Sequence, residues 1–179
     1  MPLAVALTAE PVSSQVPAPA PAPAPNGEVE DVTDPNIVRP LSQSDSLLSL
    51  QGGQRLLTEA EQAIEAEQYV IAAEKLQKAR QIFNQLTNFY LQLANSFSGI
   101  ENRIFEAQRR NAAQTGQMRD EATYNLALVH RAQNQAELSV PLLIQVIRSQ
   151  NPTSELGRKA YQQLYEIGFV DAPYSTSSN

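Results

Sequence analysis

The amino-acid sequence predicts an all-α protein, and three observations carry that prediction. From residue 41 to residue 140 there is no proline, and glycine occurs only at 52, 53, 99 and 116. Ala, Leu, Gln, Glu and Arg dominate the same span, and these are the strong helix formers. Alternating β-branched runs and Asn-Gly or Asp-Gly hairpin turns are missing from it.

Five helices can be placed. The first is predicted over 54–66, with Leu56, Leu57, Ala60, Ala63 and Ile64 on one face. It starts as early as Ser44 if Gly52-Gly53 is accommodated. A turn at Glu67-Gln68 leads into the second. There Ala72, Leu76, Ala79, Phe83, Leu86, Tyr90, Leu93, Phe97, Ile100, Ile104 and Ala107 follow one another at alternating spacings of 4 and 3. That alternation is a heptad seam, which implies knobs-into-holes packing. It predicts one long central helix over 69–111, roughly 65 Å at 1.5 Å per residue. The third helix is expected over 117–133, after a break at Thr115-Gly116. The fourth is expected over 137–150, with Pro141 in its first turn, where a missing amide costs little. Asn151-Pro152 breaks the chain, Thr153 or Ser154 can cap the last helix, and Gly168 ends it.

The 179 residues divide by composition. Nine of the twelve prolines lie in residues 1–40, five of them in the strict Pro-Ala alternation of 17–25. Every second φ is fixed there and its amide donor removed, which favours an extended polyproline-II spacer. Residues 1–45 hold six acids against Arg39 alone, whereas 46–179 hold 13 acids and 12 bases. The acidity of the chain, net −6, therefore belongs to this segment. With few large apolar residues it cannot offset its ordering entropy, so 1–45 is predicted to be a disordered tail. The domain is predicted over 46–170, and 171–179 as a frayed end. Residues 1–9 form a short apolar run with no base before Arg39. Two readings stay open: an ordinary start of a cytoplasmic protein, or the remnant of an export signal to a periplasm or equivalent lumen.

Cysteine is absent and histidine occurs once. A disulfide framework, a thiolate zinc site, an iron–sulfur cluster and a cysteine nucleophile are thereby excluded. The longest uncharged stretch, 81–100, has the length of a membrane span, but nine of its twenty side chains are polar. No transmembrane segment is predicted.

Around the first interhelical turn the chain reads Glu67-Gln-Tyr69-Val-Ile-Ala72-Ala-Glu-Lys-Leu76-Gln-Lys-Ala79. This resembles the second helix of a tetratricopeptide repeat, with Tyr, Ala, a large apolar residue and Ala at spacings 3, 4 and 3. Asn125-Leu126-Ala127 is similar to the first helix of such a repeat, Asn134 falls at its turn and Leu143 at its large apolar site. The two registers lie 67 residues apart, close to twice the family period of 34. Tyr90, Leu93-Ala94 and Phe97 match the first helix of a middle repeat. Nothing breaks the chain between 82 and 90, where a repeat boundary belongs. The resemblance, covering about 53–168, therefore implies a tetratricopeptide-like domain in which one repeat's second helix fuses with the next first helix. Three regular repeats plus a capping helix is the alternative.

No catalytic constellation emerges. His130 has no serine or aspartate placed beside it by any motif, and reads as a packed, hydrogen-bonded helix residue. Glu59, Glu61, Glu65 and Glu67 read as a solvated helix face rather than convergent metal ligands. Gly52-Gly53 lacks the lysine and flanking strand of a phosphate loop and reads as a helix boundary. Arg103, Arg109, Arg110 and Arg119 are expected around a turn at 112–117. Interleaved acids and a slightly acidic domain argue against nucleic acid. Ile82 and Phe89 widen the apolar stripe beside Phe83 and Tyr90, which suits either cover by neighbouring helices or a groove for a partner helix or peptide.

The sequence therefore predicts a non-enzymatic interaction adaptor or assembly factor, without cofactor or metal, presenting a helical groove to a protein or peptide. In tetratricopeptide domains first helices line the concave surface, and the resemblance implies partner-binding roles for Asn88, Gln92, Asn125 and Arg131. The alternative is a coiled-coil structural spacer that forms a homodimer through 72–107.

Overall fold

A computed structural model describes residues 49–174. The tail expected over 1–45 and the last five residues of the frayed end lie outside them. Among the described residues there are five helices and no strand: α1 (Leu50–Glu65), α2 (Tyr69–Ser96), α3 (Asn102–Ala132), α4 (Ala136–Gln150) and α5 (Glu155–Glu166). Each packs on the next in chain order, with the largest contact between α2 and α3. The protein is all-α.

α1 begins four residues earlier than the apolar pattern suggests. The Ser49 side chain accepts a hydrogen bond from the Gly52 amide at 2.9 Å, supplying the N-cap. Gly52 and Gly53 are buried inside the first turn rather than marking a boundary. A Cβ on Gly53 would lie 2.6 Å from the Phe83 ring, so glycine is what lets α1 approach α2 this closely.

The turns α1–α2 and α3–α4 share one backbone geometry. Glu67 and Asn134 hold φ of 57° and 59°. The Gln68 amide bonds the Ala63 carbonyl at 2.8 Å, and the Gln135 amide bonds the His130 carbonyl at 2.9 Å. Both follow the helix-ending pattern in which one left-handed residue turns the chain back on itself.

The long helix expected over 69–111 is not continuous. α2 stops at Ser96 and the chain reverses through 97–101, where Gly99 takes φ 76°. The amides of Ile100 and Glu101 both bond the Phe97 carbonyl at 3.1 Å, and the Glu101 side chain caps α3 by accepting from the Arg103 amide at 3.0 Å. A left-handed glycine costs nothing sterically, so Ser98-Gly99 turns the chain where the apolar spacing runs straight on. The break expected at Thr115-Gly116 is likewise absent, because α3 passes through it. A helical glycine loses only about 1 kcal/mol relative to alanine, and Thr115 is buried against α2.

The result is an antiparallel hairpin of a 28-residue and a 31-residue helix, about 42 and 46 Å long. The expected middle repeat is the outer part of this hairpin. Leu56, Ala60, Ala63, Ala72, Leu76, Ala79, Phe83, Leu86, Ala122, Leu126 and Val129 form the core of α1, α2 and α3. Ala127, Leu143, Val146, Ala160 and Leu164 join α3 to α4 and α5. These clusters reach Tyr90 on α2 and begin again at Met118 on α3. Outward from Thr87 on α2 and Thr115 on α3 the two helices form an arm.

Two smaller corrections concern the C-terminal half. Pro141 falls in the second turn of α4, not the first, and leaves the Glu137 carbonyl without its helical bond at an exposed site. Residues 171–174 fold back on α5: the Tyr161 hydroxyl donates to the Ala172 carbonyl at 2.8 Å, and the Tyr161 and Tyr174 rings meet edge to face. Ser154 caps α5 as its sequence suggests, accepting from the Gly157 amide at 3.0 Å.

Candidate functional site

The arm is built from small residues on the inside and large ones outside. Ala94 and Ala112 are buried between the helices, and the Thr87 and Thr115 hydroxyls meet at 3.0 Å. Small side chains let the helix axes come close. On α2, Ile82 packs in the core cluster that contains Leu56 of α1. Phe89 lies seven residues further, two turns along the same side of the helix. There the Phe89 side chain is 56% exposed, its ring edge-on to Tyr90 at 5.3 Å. Leu91, 44% exposed, lies on another side of α2, about 200° round from Phe89, and Ile100, 80% exposed, stands in the turn beyond the helix. Among the described residues, the side of α2 that packs against α1 at Ile82 is thus uncovered at Phe89.

Asn88 and Gln92 are exposed on this arm, one turn apart. They sit on the outer part of α2. Asn125 and Arg131 lie elsewhere. Thr87 is level with Thr115, so Asn125 is ten residues, about 15 Å, further along the α3 axis. Asn125 lines a 490 Å³ cleft between α3 and the start of α5, with Tyr124, Glu121 and Lys159. Partial burial pushes the Tyr124 hydroxyl above the usual tyrosine range. Arg131 bridges α3 and α5: it donates to Gln163 and, at 2.6 Å, to the Glu166 carboxylate. That hydrogen bond, with a weaker one from Gln162, holds Glu166 below the usual carboxylate range. The four residues therefore form two separate surfaces, and Arg131 is already engaged.

His130 is half-buried, with Nδ1 3.0 Å from the Gln135 side-chain oxygen across the α3–α4 turn. Glu59 pairs with Lys75 of α2. Among the described residues no three acids or histidines converge as metal ligands would, and no helix is long and apolar enough to cross a membrane. Arg103, Arg109 and Arg110 do not surround a turn, since they lie on the continuous α3, exposed on its outer part. Arg109 sits 5.6 Å from the centre of the Phe105 ring.

Arg119 belongs instead to a buried polar network. Its Nε and one terminal nitrogen each donate to Asp120 Oδ1 at 2.8 Å, while Oδ2 accepts from Ser149 at 2.6 Å and Gln150 at 2.7 Å. Asp120 is almost fully buried, so every bond it accepts offsets the cost of taking a carboxylate out of water. The network fastens α3 to the end of α4. Asp120 was legible only through its neighbours: with Thr123 and Ala127 it stands at spacings 3 and 4, a second buried face of α3 turned towards α4.

No protein family, curated protein or solved structure matches this chain.

Proposed function

We propose that this protein is a non-enzymatic adaptor whose α2–α3 arm presents an apolar helical surface to a partner helix. The observation that carries this reading is the exposed Phe89, two turns beyond Ile82 on the α1-covered side of α2, in a stretch of twenty residues without a charge. Within the chain a helix, α1, already occupies the inner part of this face. A second helix in line with it would bury the outer part in the same manner. Asn88 and Gln92 flank the apolar side chains and offer amide donors and acceptors to the rim of such a contact.

The repeated turn geometry at 66–68 and 133–135, with its 67-residue offset, supports kinship with tetratricopeptide-like hairpins. On this reading the outer hairpin stands in place of a middle repeat. Self-association remains the second reading. It has to use the arm, because Ala72, Leu76, Ala79, Phe83 and Leu86 are spent inside the chain.

A photo-crosslinking residue at Phe89, compared with one at the exposed Thr58 of α1, tests the proposal in the native cell. Crosslinks from position 89 to a helical, apolar segment of another protein, lost on Asn88→Ala/Gln92→Ala, support it. Crosslinks to a second copy favour the spacer. Crosslinks to this chain's own residues before Ser49, or none, remove the docking surface. Asn125→Ala and Arg131→Ala are made separately, since the first probes the α3–α5 cleft and the second the bridge from α3 to Glu166.

A further inference from the structure

Where α2, α3 and α4 meet, two adjoining clefts of 290 and 530 Å³ share Arg119 and Gln145 in their walls. Arg80 and Asn84 of α2 line the smaller one, and Arg148 of α4 the larger. Three arginines thus line the two adjoining clefts, Arg80 on the smaller, Arg148 on the larger and Arg119 on both. The carboxylate in their network, Asp120, has both oxygens engaged with Arg119, Ser149 and Gln150. Arg119 is held in a fixed plane by that contact and uses only part of its five-donor fork.

Arg80 is unusual for a half-buried cation. Its terminal nitrogens donate to two neutral oxygens, Gln145 Oε1 at 2.8 Å and Gln77 Oε1 at 3.5 Å. Among the described residues no carboxylate lies within ion-pair distance of it. Burial and the nearby Arg119 charge both push its pKa down, and Asp120 only partly opposes them. Three guanidiniums against one carboxylate leave two positive charges at one corner of a chain whose net charge is −6.

We propose that this corner binds the dianionic phosphate group of a phosphate monoester, between Arg80, Arg119 and Arg148, with the Gln145 and Asn84 amides as further donors. Two uncompensated charges match a group that carries close to two negative charges near neutral pH. Three or more donors around one point suit its tetrahedral oxygens, and guanidinium forks bind phosphate in a bidentate manner. A carboxylate, with one charge and two oxygens, would leave one guanidinium unmatched. Asp120 serves as a positioning residue: it orients Arg119 from behind and stays outside the ligand's contacts. The same phosphate group can come from a small phosphate ester or from a phosphorylated side chain.

Calorimetric titration of the full chain tests this with phenyl phosphate, benzoate, inorganic phosphate and a short phosphoserine peptide. Phenyl phosphate should bind about tenfold tighter than benzoate, the difference expected of a second matched charge. Arg80→Gln and Arg148→Gln, neither of which breaks an ion pair, should each weaken phenyl phosphate by about tenfold while the chain stays folded by circular dichroism. Arg80→Lys should restore only part of the loss, because a point charge replaces a fork. A phosphopeptide that binds tighter than inorganic phosphate identifies a phosphorylated side chain as the source. Comparable affinities identify a small ester. Equal binding of phenyl phosphate and benzoate, no binding up to about 10 mM, or unchanged affinity in both folded glutamine variants would overturn the site.

Discussion

The hydroxyl oxygens of Thr87 and Thr115 lie 3.0 Å apart, joining α2 to α3 at the base of the arm. Thr87 also reaches the Phe83 carbonyl at 2.7 Å, and Thr115 the Asn111 carbonyl at 2.9 Å. The single Thr87 hydroxyl proton is therefore shared between the Phe83 carbonyl and the Thr115 oxygen, while the Thr115 proton serves a carbonyl of its own helix. Thr87→Val and Thr115→Val should each cost about 1 kcal/mol, since each leaves a buried oxygen short of a partner. The double variant, apolar and nearly isosteric on both sides, should cost less than the sum. Urea melts of the four chains check this; strict additivity would mean that the two hydroxyls do not interact.

Phe83 and Leu93 occupy successive parts of one heptad seam but different environments. Phe83 is fully buried under Gly53, whereas Leu93 lies half-buried on the arm. Phe83→Ala should cost about 3–5 kcal/mol, because α1 cannot collapse far enough to fill the space. Leu93→Asp should cost under about 2 kcal/mol and leave circular dichroism native-like. Equal destabilisation by the two would place the end of the core further out than Tyr90.

Ser139 is buried in the first turn of α4, and its hydroxyl oxygen finds no partner among the described residues. Ala72 holds the same place, four residues after Gln68, that Ser139 holds four residues after Gln135, and both amides close the same helical bond. Ser139→Ala should therefore stabilise the protein by about 1 kcal/mol, relieving a buried unpaired hydroxyl. The gain corresponds to a rise of roughly 3 °C in Tm. A fall in Tm would mean that the oxygen is satisfied.

The Arg131–Glu166 pair joins α3 to α5 at an exposed site. Its hydrogen bond holds the Glu166 carboxyl below the usual range in the folded chain. The folded state thus favours the ionised form. The contribution is present above the ordinary carboxylate pKa and is lost as pH falls through the lower folded value. Glu166→Gln should lower Tm at neutral pH, and the gap between variant and parent should close as the solution is acidified. A gap that persists in acid would assign the effect to packing.

Helical class and most helix ends could be read from the sequence because propensity, caps and apolar spacing agree there. They disagree at two places. Phe97, Ile100 and Ile104 carry the 4–3 spacing across a glycine turn, so the seam hid the reversal at Gly99. Thr115-Gly116 has the composition of a break but lies on a buried face, where tertiary packing outweighs propensity. A place for Asn88, Gln92, Asn125 and Arg131 on first helices of the middle and later repeats implies one surface, but the first two lie on α2 and the last two on α3, about 15 Å or more further along it. The hydrogen bond from Arg80 to Gln145 joins residues on different helices sixty-five positions apart, and local spacing carries no trace of such a contact.

The arm also divides the molecule by the free energy at which its amides open. In the core α2 is held by α1 on one side and α3 on the other, whereas in the arm it has α3 alone among the described residues. A two-helix segment can unzip from its tip without exposing Phe83 or Leu126. Amide hydrogens over 91–110 should then exchange with solvent through a local opening that denaturant hardly affects, and those over 72–86 through global unfolding. A helix bound along Phe89 would slow the first set and leave the second at its own rate, so occupancy could be read from exchange at the tip while the melting of the core stayed silent.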